Sequence, residues 1–364
     1  MKMCKWTWYK AILVLLIFFR HQLVGSSTAT SSNAAKQKTA LFQFKQSFRI
    51  STPKTINWSL SSDHCTWEGV SYDQSTGDVI GLDLSCSQLE GAILPNSTLF
   101  QLSHLQFLNL SQNDFSLSGQ FPQQFGFFAQ GLLHLNLSNT QFWGRVPSGI
   151  SRLYKLILNL SRNNLSGVLP ICQTNFSSLL VFDLPMNNIR GNIPATLSKI
   201  RYLETINLNS NQLEGRIPSS FAEFEFLQVL DLGNHQMNGA FPQCLEALPN
   251  LQVLVLKSNR FHGVKKKSSK IEHPFPSLRI IDLSYNEFSG PLPAIYLRNF
   301  KAMMNGEVNK IARSYMERQY YSDSTSLVIK GVDLVLERIL TIFTTIDISS
   351  NNFEGKIAEY ILEI

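Results

Sequence analysis

The chain has 364 residues, 44% hydrophobic and 16% charged, which is enough apolar material for an extended core and excludes a mostly disordered polymer. Its net charge is +6, but apart from KKKSSK at 265–270 the basic residues are scattered, so no focused nucleic-acid footprint exists. That balance fits a mildly basic extracellular protein.

The first residues set the expected compartment. Lys2, Lys5 and Lys10 precede an apolar run at 11–19, and small residues follow at Gly25, Ser26 and Ser27, the layout of a secretory signal peptide over 1–26. Nine apolar residues before Arg20 and His21 fall short of the ~20 that a bilayer-spanning helix needs. Removal of this segment discards Cys4 and leaves Cys65, Cys86, Cys172 and Cys244 for an oxidising route. Cys65 and Cys86 are close enough in sequence to pair, whereas Cys172 and Cys244 stand far apart, and no pairing is assigned to them.

Residues 27–78 are expected to form a cap. In KTALFQFKQSF (38–48), Leu41, Phe44 and Phe48 recur at helical spacing, which predicts a short amphipathic helix. Together with INWSLSSDHCTWEGVSYD (56–73) it would cover the open apolar end of whatever follows.

From 79 onward the chain repeats. The pattern L-x-x-L-x-L-x-x-N recurs in LQFLNLSQN (105–113), LETINLNSN (203–211), LQVLDLGNH (227–235) and LRIIDLSYN (278–286), among ten units mostly spaced by 23 to 27 residues. This is the period of leucine-rich repeats. Each unit continues with an apolar residue, a Gly and often a Pro, as in NLSGVLP, NIRGNIP and QLEGRIP.

The expected fold is therefore α/β: a leucine-rich-repeat solenoid with a parallel concave β-sheet, a helical N-terminal cap and one insertion. The alternating leucines of each unit point inward and the x residues point out on the concave face. The Asn at the strand end would satisfy backbone groups of adjacent coils, with Thr140 and His235 standing in for it in two of them. Ten strands at ~4.8 Å give an inner arc of roughly 45 Å.

Repeats one to nine occupy 79–293, and then 65 residues separate Asn286 from the next ladder residue, Asn351. The interrupting segment, 294–341, lacks the repeat pattern, and such a stretch within a compact array is usually functional or disordered. Within it SLVIKGVDLVLE alternates like a strand, and Tyr315, Tyr320 and Tyr321 offer amphipathic contact groups. A partial tenth repeat follows at 342–364, with Ala358 where Pro is expected, and its open coil should expose an apolar edge.

The cap helix, NWS…DHCTWEGVSYD, the G-x-I-P style of repeat and the segment after 294 together resemble plant leucine-rich-repeat receptor-like proteins, the class of the wilt-resistance and fungal-elicitor receptors. The resemblance covers nearly all of the chain after the signal peptide. It implies that 294–341 is an island lying against the solenoid and helping to form the ligand and partner surface. Family members usually carry further cap cysteines. This sequence has His64 and Tyr72 at two of those places, which leaves Cys65–Cys86 as the remaining option.

The resemblance also implies an extracellular recognition ectodomain that binds a protein or peptide ligand, microbial in origin, and acts in plant defence through co-receptor kinases. The family normally continues into a membrane helix, and none is present in this sequence. As given, the chain is expected to be secreted to the apoplast, or held at the plasma membrane by a single pass if it is a fragment of a full receptor. Two competing readings are a secreted inhibitor of wall-degrading enzymes and a non-signalling decoy.

No paired-carboxylate, metal-spacing, nucleophile-elbow or phosphate-loop pattern appears, so neither an enzyme nor a cofactor nor a metal site is expected. Glycosylation sequons stand at Asn57, Asn96, Asn109, Asn136, Asn159, Asn164 and Asn175. Asn109, Asn136 and Asn159 occupy the middle x of L-x-L, where sugars would wall off the first coils. The free concave patch would then lie on coils five to nine beside the island, with Asp183, Met186, Thr205, Asn207, Asn209, Asp231, Asn234, Lys257, Asp282 and Tyr285 as exposed ligand contacts.

Overall fold

The structure is a computed structural model that describes residues 30–50, 55, 57–116, 119–128, 130–152, 156–170, 179–263, 271, 273–291, 300–304, 314–318, 321–329 and 332–355. The expected signal peptide, Cys172, Asn175, Tyr320, the KKKSSK run and residues 356–364 lie outside these.

Each repeat unit supplies one short strand. An eleven-stranded sheet runs Val70–Tyr72, Val79–Asp83, Phe107–Asn109, His134–Asn136, Ile157–Asn159, Val181–Asp183, Thr205–Asn207, Val229–Asp231, Val253–Val255, Ile280–Asp282 and Thr345–Asp347. Its first strand comes from the cap and is antiparallel. The remaining ten define coils 1 to 10 and pair in parallel, in an unshifted register such as Leu230 opposite Leu254. The inward leucines, among them Leu82, Leu108, Leu135, Leu158, Leu230 and Leu254, are fully buried in one continuous core.

The Asn ladder joins the coils. Asn211 Nδ2 donates to the carbonyls of Leu184 and Leu208, and its Oδ1 accepts from Ile189 N–H. Backbone groups that a stacked strand end would leave buried and unpaired are thus satisfied. The residue before each ladder position adopts a left-handed backbone: Cys86, Gln112, Asn139, Arg162, Met186, Ser210, Asn234, Ser258, Tyr285 and Ser350 all have φ between 50° and 60°. That conformation costs non-glycine residues about 1 kcal/mol each. It is held because each amide up to Tyr285 donates to a carbonyl of the next coil, as Met186 N does to Asn209 O and Asn234 N to Lys257 O.

The Gly-Pro half of each unit does more than bend. A second, eight-stranded parallel sheet runs from Trp143–Gly144 through Asn164–Gly167, Asn188–Asn192, Gln212–Gly215, Gln236–Gly239, Arg260–Gly263 and Glu287–Pro291 to Asn352–Glu354. Its glycines have positive φ, and a Cβ on Gly215 would fall 2.6 Å from Asn192 Oδ1, so a larger residue there would be strained and would have to displace the Asn192 side chain. Pro194, Pro218 and Pro242 then open the short 3-10 helices Ala195–Lys199, Ser219–Glu223 and Gln243–Ala247, which pass over the far side of the array.

The cap begins with helix α1, Thr30–Gln46, which buries Ala40, Leu41 and Phe44 against coil 1. Gln37 fastens it, accepting from Val79 N–H at 2.6 Å and donating to Asp78 at 2.7 Å. Trp58 and Trp67 stack with ring centroids 4.9 Å apart, and their indole N–H groups donate to Glu68 O and Ser62 Oγ.

The expected Cys65–Cys86 bond is not formed: Cys65 is a free thiol, as is Cys244, and Cys86 is disulfide-bonded elsewhere. Cys65 sits in the 3-10 turn His64–Thr66 with its sulfur facing His64, whereas Cys86 stands on the left-handed row, its sulfur 3.0 Å from Gln112 Oε1. The tryptophan stack closes the cap where a cross-link was expected.

Candidate functional site

The insertion folds back onto the concave sheet. Two small antiparallel units carry it: Glu317–Arg318 with Tyr321–Ser322, and the hairpin Thr325–Ile329 with Val332–Leu336. Met316, Leu327 and Ile339 pack on Val229, Val253, Val255 and Ile280, the outward apolar residues of coils 7 to 9. Tyr321 packs on Ile157 and Val181 of coils 4 and 5.

Polar groups register the contact. Arg318 grips Glu204 with Nε at 2.8 Å and Nη2 at 2.6 Å, and reaches Asp323 at 3.0 Å. Thr205 Oγ1 donates to Asp323 at 2.6 Å, Thr325 Oγ1 to Asp231 at 2.9 Å, and Lys257 Nζ to Ser326 Oγ at 3.2 Å. A forked guanidinium on two carboxylates gives both charge compensation and direction.

This corrects the expected ligand surface. Asp183, Thr205, Asn207, Asn209, Asp231, Lys257 and Asp282 are buried rather than exposed, most of them because the island covers the strands that carry them. Asn234 is half-buried and donates to Asn209 Oδ1. Met186 and Tyr285 remain exposed, at 43% and 52%, because they belong to the left-handed row along the rim of the sheet. Of the expected island contacts, Tyr321 is turned inward and 5% exposed, while Tyr315 faces solvent with the Arg338 guanidinium 4.8 Å over its ring. The residues that hold the island, Glu204, Arg318, Asp323 and Thr325, carry no repeat signature. Arg318, Asp323 and Thr325 precede the alternating SLVIKGVDLVLE (326–337) and Glu204 fills a variable position of its unit, so no sequence pattern singled them out.

The covered strip is rich in carboxylates. Burial pushes Asp183 up to about 8, and the nearby Asp323 and Asp231 carboxylates reinforce it. Asp231, Asp282 and Asp323 are also raised, each chiefly by burial, with Lys257 opposing the first two and Arg318 the third. Asp183 Oδ1 and Tyr321 Oη are both buried without a hydrogen bond. In other coils the equivalent carboxylate accepts from the residue two places on, as Asp282 does from Ser284, but here that residue is Pro185, which has no N–H.

With the concave face filled from Tyr321 on coil 4 to coil 9, apolar side chains face outward on the island and just after it: Val332 at 57% exposed, Val335 at 50%, Leu334 at 41% and Tyr315 at 38%, then Ile342 at 52%. Coils 1 to 4 keep an open concave lane of half-buried Asp83, Phe107, Asn109, Asn136 and Asn159. The Oδ1 atoms of these three asparagines accept from Ser111, Ser138 and Ser161. Asn57, Asn96 and Asn164 are exposed.

The sequence pattern described as leucine rich repeat N-terminal domain matches residues 34–71, and patterns described as leucine rich repeat match 104–128, 131–153, 201–261 and 277–297. The chain is a leucine-rich-repeat protein. Its curated relatives are plant receptor-like proteins. It is 36% identical to Receptor-like protein 9DC1 of Solanum pimpinellifolium over 188 residues, 47% of this chain and 21% of that one. It is 37% identical to Receptor-like protein 35 of Arabidopsis thaliana over 287 residues, 77% of this chain and 30% of that one. The chain thus spans a minor part of these receptor-like proteins.

Among solved structures, it is similar to a plant ice-binding protein, with 29% identity, a TM-score of 0.62, and 71% of this chain and 81% of that one covered. A second likeness, to a plant peptide hormone receptor in complex with its peptide, has 23% identity, a TM-score of 0.52, and 65% and 43% coverage. The latter bears on fold alone.

Proposed function

We propose that this chain is an extracellular recognition module of the receptor-like kind, binding a protein or peptide, of microbial origin, and acting in defence with partner kinases. The observation that carries the reading is the docked island. A segment that fastens itself to the concave face by an apolar core and an Arg–carboxylate fork, then turns Val332, Leu334, Val335 and Tyr315 to solvent beside Ile342, presents the composition of an interface core. The receptor-like relatives support the same class, and the signal-peptide pattern supports a secretory route ending in the apoplast or at the plasma membrane.

This reading moves the binding surface from the concave coils to the outer face of the island and the neighbouring rim at Met186 and Tyr285. The test is retention of secreted microbial proteins by the immobilised chain, followed by the affinity of each identified protein for wild type and for the double variant Val335→Asp, Ile342→Asp. Both positions are exposed, so the fold survives. Affinity should fall about tenfold or more if they sit at an interface centre. Equal affinity for both chains would remove the reading.

A further inference from the structure

On the flank of coils 2 to 4, away from the island, a cavity of about 330 Å³ is lined by Ser116, Gln141, Trp143, Arg162, Asn163 and Asn164, the low end of the range for small-ligand sites. Trp143 is 47% exposed and is the direct cross-strand partner of Asn164 in the second sheet. The two therefore stand one strand spacing apart, about 4.8 Å. Asn163 is consumed by the ladder, donating to Leu137 and Leu160 and accepting from Thr140 and Phe142. The Arg162 guanidinium, the Gln141 amide and the Trp143 indole N–H make no hydrogen bond to another described residue.

The orientation of Asn164 follows from its neighbours. Gln212 Nε2 donates to Asn188 Oδ1 at 3.4 Å and Asn188 Nδ2 donates to Asn164 Oδ1 at 2.6 Å, so the amides along this edge run in one direction. The terminal donor, Asn164 Nδ2, is left without a described acceptor at the end nearest Trp143. Asn164 begins the sequon Asn164-Leu165-Ser166, and Nδ2 is the atom that a sugar joins.

We propose that Asn164 carries an N-linked glycan whose first N-acetylglucosamine is seated in this cavity, its C–H face on the Trp143 indole and its acetamide and hydroxyls within reach of Arg162 and Gln141. An exposed tryptophan supplies an apolar face beside a polar tip, the requirement of a sugar ring with one apolar side. In the attachment, Nδ2 bonds to C1 of the sugar, the bond from C1 to the oxygen of a lipid-linked pyrophosphate donor breaks, the pyrophosphate leaves with the electron pair, and one amide proton is lost to the transferase. The sequons at Asn109 and Asn136 lack such a seat: the Phe107 ring near them is already stacked on His134 at 4.7 Å. The inference rests on the secretory half of the proposed function and is independent of the island.

The test uses the full chain secreted from plant cells. Peptide mapping should find Asn164 occupied. Trp143→Ala should lower Tm by about 2 °C or more in the glycosylated chain and leave it unchanged in an Asn164→Gln background, with Trp143→Phe restoring most of the loss. Trimming the glycan to its first sugar should preserve the difference. An equal shift in both backgrounds would overturn the proposal. So would a bare Asn164 in a chain that binds free N,N′-diacetylchitobiose through Trp143, which would make the cavity a site for free sugar.

Discussion

His235 stands where most coils place a ladder asparagine, and it illustrates how closely each residue is specified. Both ring nitrogens are buried without a hydrogen bond, and burial holds the imidazole at about 4, so it is neutral at physiological pH. Asn259, one coil on, has no such deficit: its Nδ2 donates to Leu232 O and Leu256 O and its Oδ1 accepts from Met237 N. Replacing His235 by Asn should therefore stabilise the array by about 1 kcal/mol, seen as a higher denaturant midpoint with an unchanged slope. Thr140 makes the contrast: its hydroxyl reaches Leu137 O at 2.7 Å and bonds the Asn163 side chain, so Thr140→Asn should gain less. The ladder was legible in the repeat. The left-handed row before it was not, because Met186, Arg162 and Tyr285 are not residues that advertise a positive φ.

At the scale of the element, the island is a lid fastened by a few groups. Arg318 holds Glu204 and Asp323 while largely buried, and loss of one partner of a buried pair costs about 3–5 kcal/mol. Arg318→Ala should release the hairpin Thr325–Ile329 and Val332–Leu336, measured as amide exchange there rising toward that of an isolated hairpin while the coil 2 to 6 amides stay protected.

The carboxylates beneath it make docking pH-dependent. Asp183 has a folded value of about 8 against ~4 in an unfolded chain, so between these limits the folded state binds the extra proton. Its contribution is full below about 4 and is lost as pH rises through about 8. Stability should then fall by on the order of 2 kcal/mol from pH 5.5 to 8, and Asp183→Asn should flatten that slope, as followed by denaturant titration at each pH. An unchanged slope would mean that another group carries the dependence.

Across the whole molecule, stability is shared by neighbouring coils, so each coil is protected to the extent that it is covered. The cap seals one end with Trp58, Trp67 and helix α1. In coil 10 the strand Thr345–Asp347 is half-exposed throughout, where the corresponding strand of coil 7 is fully buried, and Ile346, Ile348 and Phe353 are only partly covered. Amide exchange at Thr345–Asp347 should therefore exceed that at Val229–Asp231, since the less covered strand opens at lower cost.

Much of this architecture was determined by the sequence alone, because a repeat is local information. Leucines at fixed spacing specify one strand per coil, Asn specifies the ladder, and Gly with Pro specifies the return path, each within about 25 residues. The second sheet is not legible in the sequence because segments such as QLEG and QMNG are too short to carry a strand signal. What the tertiary structure decided is the state of the concave face. Asp231 and Thr205 read as exposed polar residues in their own coils, yet they meet Thr325 and Asp323 from 94 and 118 residues away. No local pattern encodes that return, since the same alternation that makes a strand in the island also fits a free hairpin. Only closing the long loop and burying Met316, Leu327 and Ile339 on coils 7 to 9 converts an apparent ligand surface into an interior.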